Sequence, residues 1–345
     1  MEHEAFHDLH IHLGGAVPSS VLWEILCDNG LQTEFENFDA FHASLTATSN
    51  DVKSLDDFLG RYFQTTEEIQ SSPSAASVSA YQVVAKAYRR ARVKSVELRF
   101  NPMKRVRHGL HTMDAIILAV IQGLEKATLH YGVRTGIILS LGRELSHEEN
   151  WKIIEAAIRW KSRGDLNGAF GVVGVDMAGP ESGVNENDAD WLRETAQMFS
   201  KANKAGLRLT YHIGESPDSG PEGMLNVIQE IKPDRIGHGI QIREARATLK
   251  DKLVSQLREY QICLELCPTV NIVTRTLPDY RAMASLTMEL AKEDIPFCIN
   301  TDNPYLIHTN LKSEYELVGI ELRDDAERIL QASFESAHQH SFLKN

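Results

Sequence analysis

Cysteine is scarce in this chain, and the few present form no pattern. The 345 residues include four, namely Cys27, Cys263, Cys267 and Cys298, and no two are spaced as a C-x-x-C pair. This argues against a disulfide framework or a cysteine-built zinc module. Reduced thiols are expected, with Cys263 and Cys298, inside apolar runs, read as core residues. Long hydrophobic runs are missing as well. No stretch approaches the roughly 18 apolar residues of a membrane span, and the charged, His-rich start has no apolar signal core. The expectation is a cytoplasmic protein with no membrane partner. Positive charge is the third shortage. Lys and Arg number 36 against 48 Asp and Glu, a net charge of −12. That disfavours a nucleic-acid polymer as partner, because phosphate binding needs a local excess of Lys and Arg. A small uncharged ligand is easier to accommodate. Nothing in the sequence reports the oligomeric state.

What is present is a repeated alternation. Short apolar or β-branched runs occur at residues 5–12, 93–100, 134–140, 170–177, 207–212, 235–238, 262–266 and 296–300, as expected of parallel strands covered by helices. Between them lie helical spacings such as Tyr81, Val84, Ala85, Tyr88 and Ile117, Val120, Ile121, Leu124. Eight such alternations predict an α/β protein, a (β/α)8 TIM barrel over residues 1–345, read as one domain. The interval between the first two runs is long. It carries helical patterns at residues 19–27 and 55–63, predicting extra helices inserted after the first strand. In the second pattern Leu55, Phe58, Leu59, Tyr62 and Phe63 share a face. That face either packs on the barrel or forms a lid, with Phe58, Tyr62 and Phe63 walling an apolar pocket.

A barrel concentrates chemistry at the C-terminal ends of its strands, and polar residues cluster there. The first run ends in His10-Ile11-His12, the fourth in Asp176-Met177-Ala178-Gly179 and the fifth in His212-Ile213-Gly214-Glu215. The sixth ends in Gly237-His238-Gly239, and the eighth in Asn300-Thr301-Asp302-Asn303. Residues i and i+2 of a strand point the same way, so His10 and His12 either grip one ion or are satisfied core histidines. Adding His212 and Asp302 makes an N3O set of the kind zinc takes, with a position left for water. Burying that set without a metal would leave costly unpaired polar groups. Glu215, just past the fifth strand end, suits proton transfer from a dry pocket. His238, between two glycines, can approach the same water. Glu265, Arg99 and Arg143 read as buried structural charges. His3, His42, His147, His308, His338 and His340 have no context that raises them above packing or surface roles.

In order and spacing, Asp8-Leu9-His10-Ile11-His12-Leu13-Gly14-Gly15, Val96-Glu97-Leu98-Arg99-Phe100-Asn101-Pro102, His212-Ile213-Gly214-Glu215, Arg235-Ile236-Gly237-His238-Gly239 and Asn300-Thr301-Asp302-Asn303-Pro304 resemble the adenosine deaminase family. The resemblance runs from about residue 6 to about residue 315. Each motif alone is weak; five in order are specific. The resemblance implies one Zn2+ per chain held by His10, His12, His212 and Asp302. It implies that His238 and Asp302 orient or deprotonate the water that attacks purine C6, that Glu215 protonates ring N1, and that the Gly179 amide meets N3. The implied partner is a purine nucleoside, adenosine or 2′-deoxyadenosine, converted to the inosine product and ammonia.

Two positions depart from the family pattern. Gly14 stands where a carboxylate often meets the ribose 5′-hydroxyl, and Asn303 stands where an Asp bonds N7. An Asn amide is also a donor, so N7 recognition is expected to survive. Gly14, with Lys104, Arg105 and Arg107 after the second strand, opens alternatives: AMP, N6-methyl-AMP, a 5′-modified adenosine, or adenine itself. The bland reading of those cations is an exposed basic turn. A two-metal amidohydrolase lacks its lysine at the fourth strand end. A cytidine-deaminase site lacks its H-x-E and P-C-x-x-C signature. A purine binder without catalysis is disfavoured by Glu215 and His238.

Overall fold

A computed structural model describes residues 6–28, 35–107, 109–164, 167–182 and 186–343. Its frame is an eight-stranded sheet in the order β1-β2-β3-β4-β5-β6-β7-β8. The strands are β1 (His7–His12), β2 (Ser95–Phe100), β3 (Arg134–Gly142), β4 (Ala169–Ala178), β5 (Arg208–Ile213), β6 (Arg235–His238), β7 (Cys263–Leu266) and β8 (Phe297–Ile299). Each neighbouring pair is parallel. The sheet closes where Ile11 bridges to Asp302: His12 N donates to Asp302 O and Asp302 N to His10 O, each at 2.8 Å. This is the expected (β/α)8 barrel, and the strands fall within a few residues of the predicted runs. Ala5 and His3 lie outside the described residues.

The helices explain themselves locally. After the inserted segment come α5 (Pro73–Ala91), α6 (Met113–Tyr131), α7 (His147–Arg159), α8 (Ala189–Lys204), α9 (Gly220–Glu230), α10 (Ala247–Glu259), α11 (Pro268–Val273), α12 (Tyr280–Lys292), α13 (Leu311–Leu322) and α14 (Ala326–His340). Ser72, Thr112, Ser146, Asp188, Asp279 and Asn310 each cap a helix by accepting from a first-turn amide, which satisfies donors that the helix itself leaves orphaned. Among the described residues no helix is long and apolar enough to cross a membrane.

The insertion after β1 holds α1 (Ser19–Asp28), α2 (Phe38–Ser44), α3 (Leu55–Phe58), a π-helical turn (Leu59–Phe63) and α4 (Gln64–Ile69). The predicted extra helices are therefore present, but the second is not one regular helix. Its π turn, a feature that recurs at functional sites, points Phe58, Leu59 and Phe63 into a pocket over the strand ends.

The barrel carries a second departure from an ordinary core. Its strands bury an ion network where branched apolar side chains usually predominate. Arg235 Nη2 lies 2.7 Å from Glu97 Oε2, and its Nε lies 2.6 Å from Glu265 Oε1. Arg99 Nη2 lies 2.9 Å from Glu265 Oε2, and its Nη1 3.5 Å from Asp176 Oδ2. All five are fully buried. Opposite charges offset each other's desolvation only in such close pairs. The chain's last described turn seals the lower end, where Phe342 N and Ser341 Oγ donate to Glu97 Oε1 at 2.7 and 2.8 Å.

Candidate active site

The ion network is a foundation for the residues above it. Glu265 Oε2 accepts from His10 Nδ1 at 2.7 Å, and Asp176 Oδ1 from His212 Nδ1 at 2.9 Å. Arg99 and Arg235, against the cost of burial, hold Glu265 below the usual carboxylate range. A carboxylate on each Nδ1 fixes the tautomer, so each Nε2 presents a bare lone pair. Those lone pairs converge. His12 Nε2 lies 3.3 Å from His10 Nε2 and 3.1 Å from His212 Nε2. Asp302 Oδ1 lies 3.4 Å from His12 Nε2 and 3.8 Å from His10 Nε2. Burial holds all three imidazoles well below their ordinary pKa, so none supplies a stray proton. Donor atoms about 2.0–2.1 Å from one tetrahedral ion lie about 3.3 Å apart, close to these separations. Burial, with Asp8, Glu265 and Asp176 outweighing Arg99, pushes Asp302 up to about 8. The cluster is thus short of a positive charge, and a divalent metal fits it.

Local backbone makes this convergence possible. A Cβ on Gly237 would come within 3.1 Å of both His10 Cε1 and His212 Cγ. His238 and Asp302 both sit at left-handed φ, 64° and 60°. Non-glycine residues rarely adopt that region, and they cluster in it at functional sites. His238 Nε2 then lies 3.4 Å from Glu215 Oε2 and 3.8 Å from Asp302 Oδ2. Its Nδ1 faces the Asn271 amide at 3.2 Å. Glu215 is buried, and its carboxyl is raised well above 4.5, first by burial and then by Asp302 and Glu181. Glu181 also fixes the backbone there, accepting from Glu215 N and Ser216 N at 3.0 Å each. A buried carboxyl pushed toward its protonated form beside the imidazole cluster is equipped as an acid.

These groups open into a cavity of about 580 Å³, lined at its base by His12, His212, Glu215, His238, Asp302 and Asn303. Phe58, Phe63 and Gly179 are also on its wall. Phe63 stands edge-on to His12, ring centres 5.7 Å apart.

The other expected contacts differ. Tyr62 does not line the cavity. It is buried in the core and stacks behind Phe58 at 6.0 Å, because the π turn breaks the regular phase that would have put both rings on one face. Gly14 leaves no empty space either: the place of a Cβ there lies 2.8 Å from the Phe63 ring and 3.4 Å from Glu67 Cγ. The Asn303 amide uses one of its two N–H donors inside the protein. Nδ2 donates to Asp302 Oδ1 at 2.6 Å, and Oδ1 is buried without a partner over Gly15, which has no Cβ to obstruct it. The predicted basic turn is not exposed as a unit. Arg105 is fully buried beside Glu67, Lys104 is flanked by Glu67 and Glu144, and Arg107 is absent from the cavity lining.

Sequence reasoning missed several groups. Asp176 was visible only as a strand-end residue, and Glu265 only as a buried charge. Asn271, Glu181 and Glu67 carried no motif. Cys267 offers a sulfur that groups with His10, His238 and Asp302 within 4.8 Å, and burial pushes its thiol well above the ordinary range. Arg143 is a brace, as expected: it donates to Glu186 Oε1 at 2.6 Å, to Gly179 O at 2.9 Å and to His212 O.

Comparison with known proteins agrees with the architecture. A family model described as "Adenosine deaminase" matches residues 6–345. An adenosine deaminase of Clostridium botulinum (strain Okra) is 25% identical, covering 98% of this chain and 95% of its own length. Among solved structures, an adenine deaminase from Arthrobacter aurescens superposes with a TM-score of 0.80 at 18% identity, covering 98% of this chain and 94% of its own. The Arabidopsis N6-mAMP deaminase gives 0.79 at 23% identity, covering 99% and 94%.

Proposed function

The chain belongs to the adenosine deaminase family and is a hydrolytic deaminase acting on purines, and we propose that its reaction is the zinc-dependent removal of the 6-amino group from a purine nucleoside, with one zinc per chain. The observation that carries this reading is the meeting of three imidazole Nε2 atoms and the Asp302 carboxyl group, with the buried Glu215 carboxyl and His238 beside them, in a single cavity. His10, His12, His212 and Asp302 would hold the metal. When bound, zinc supplies a water acidified toward about pH 7.

The remaining work falls to the protein's own groups. The apolar wall of Phe58 and Phe63 excludes bulk water and holds the purine flat. His238, whose Nδ1 accepts from the Asn271 amide, turns its Nε2–H toward the attacking water and orients it. Glu215 gives its proton to ring N1, so that C6 accepts the oxygen without charge building on the ring. The Glu215 carboxylate so formed relays one proton of the water to the 6-amino group, which departs as ammonia, and takes back the other as C6 becomes a carbonyl. Gly179 stands on the wall for a contact to N3, and the second amide hydrogen of Asn303 is left to donate to the acceptor N7.

The test is a deamination screen over adenosine, 2′-deoxyadenosine, adenine, AMP and N6-methyl-AMP, read by the purine ultraviolet shift and by ammonia. Activity should vanish on chelation and return with zinc. Zinc-loaded protein that releases ammonia from none of these compounds would sink the reading.

A further inference from the structure

Beyond Phe63, the cavity wall carries alternating charges. Lys104 Nζ lies 2.5 Å from Glu144 Oε1 and 3.6 Å from Glu67 Oε2, and the buried Arg105 Nη2 lies 3.6 Å from Glu67 Oε1. Glu67 comes from α4, four residues after Phe63. Glu144 comes from the turn after β3, its carboxylate filling the place of a Cβ on Gly179. Asp56 and Glu68 line the same cavity. Asn101, also on the wall and buried, uses Oδ1 to cap Met103 N and Lys104 N, while its Nδ2 has no protein partner. An unpartnered donor beside a carboxylate–ammonium–carboxylate row marks a place for a ligand group that both gives and accepts hydrogen bonds.

We propose that Glu67, Lys104 and Glu144 form a charge filter that admits a neutral, hydroxyl-bearing substituent on purine N9 and turns away a 5′-phosphate. The inference rests on the proposed purine deamination. A sugar hydroxyl donates to a carboxylate and accepts from Lys104 or Asn101. A phosphate monoester near neutral pH carries between about one and a half and two negative charges, and its dianion only accepts. It would find Lys104 already neutralised from both sides, Arg105 screened behind Glu67, and further carboxylates at the rim. Volume does not exclude a nucleotide from a cavity of about 580 Å³; charge does.

The test is calorimetric titration of the zinc-loaded protein with inosine and with IMP, alongside turnover of adenosine and AMP. Wild type should bind inosine at least about tenfold more tightly than IMP. Glu67→Gln and Glu144→Gln should each shift that ratio toward IMP by about tenfold, the size expected for removing one unit charge close to a dianion. Glu144 is one-third exposed, so its variant does not depend on the core tolerating a change at Glu67. Tighter binding of IMP than inosine by wild type, or an unmoved ratio in both variants, overturns the filter and leaves the deaminase reading standing. Binding of neither ligand, with ammonia released from no purine, removes the deaminase reading and the filter with it.

Discussion

Glu265 accepts from His10 Nδ1, Arg99 Nη2, Arg235 Nε and Thr210 Oγ1, so one side chain joins the ion network to the metal set. Glu265→Ala leaves two buried guanidinium groups short of a partner and His10 free to turn. It should cost about 3–5 kcal/mol of stability and weaken zinc binding by about 10–100-fold, measured by chemical denaturation and by competition with a chromogenic chelator. Unchanged zinc affinity would mean that Glu265 serves the fold alone. Glu215→Gln separates chemistry from assembly. It should keep full zinc by elemental analysis while kcat falls about 10²–10⁴-fold; turnover at the wild-type rate would remove Glu215 as the acid. At this scale the sequence was legible where spacing itself carries geometry, as in His10-x-His12. It was not legible where a role comes from a distant partner. Asp176 and Glu265 sit in strands whose side-chain directions are set by barrel closure, and no local pattern announces which imidazole each will meet.

Among elements, the insertion after β1 and the links behind β8 decide the shape of the site. Glu314, on α13, ties the start of α11 to the loop before α13 by accepting from Thr269 N at 3.0 Å and Thr309 Oγ1 at 2.5 Å. Burial outweighs these bonds and pushes its carboxyl up to about 7 from an ordinary 4.5. Across that window the folded chain keeps a proton that the unfolded chain has lost. This contribution to stability is therefore full below about pH 4.5 and lost as pH rises through about 7. Glu314→Gln, neutral throughout, should flatten the fall in Tm between about pH 5 and pH 8; a variant with the wild-type pH profile would contradict the assignment. The strands and most helices were legible because their periodicities are long and uninterrupted. The stretch from Leu55 to Ile69 was legible as helix but not in phase. A π turn adds a residue to the turn, rotating all later side chains of the helix by about 100°, and nothing in Leu59-Gly60-Arg61-Tyr62-Phe63 signals it. Tyr62 was consequently assigned to the pocket, while Glu67, which does line it, was overlooked.

For the molecule as a whole, a metal held by these residues would join binding and folding in one equilibrium. A zinc ion present at about a thousand times its dissociation constant adds about 4 kcal/mol to the folded state, so chelation should lower Tm and added zinc should restore it. A Tm indifferent to chelator would argue that the imidazole cluster is held by the protein alone. The loss should also have an address. His10, His12 and Asp302 lie on either side of the bridge that joins the first strand to the segment after the last. An ion gripped by all three works as a clasp on a hoop, fastening the beginning of the polypeptide to a point nearly three hundred residues later. With the clasp undone, deuterium should enter the amides of His12 and Asp302 before those between β2 and β3, and the barrel should spring open along that single line.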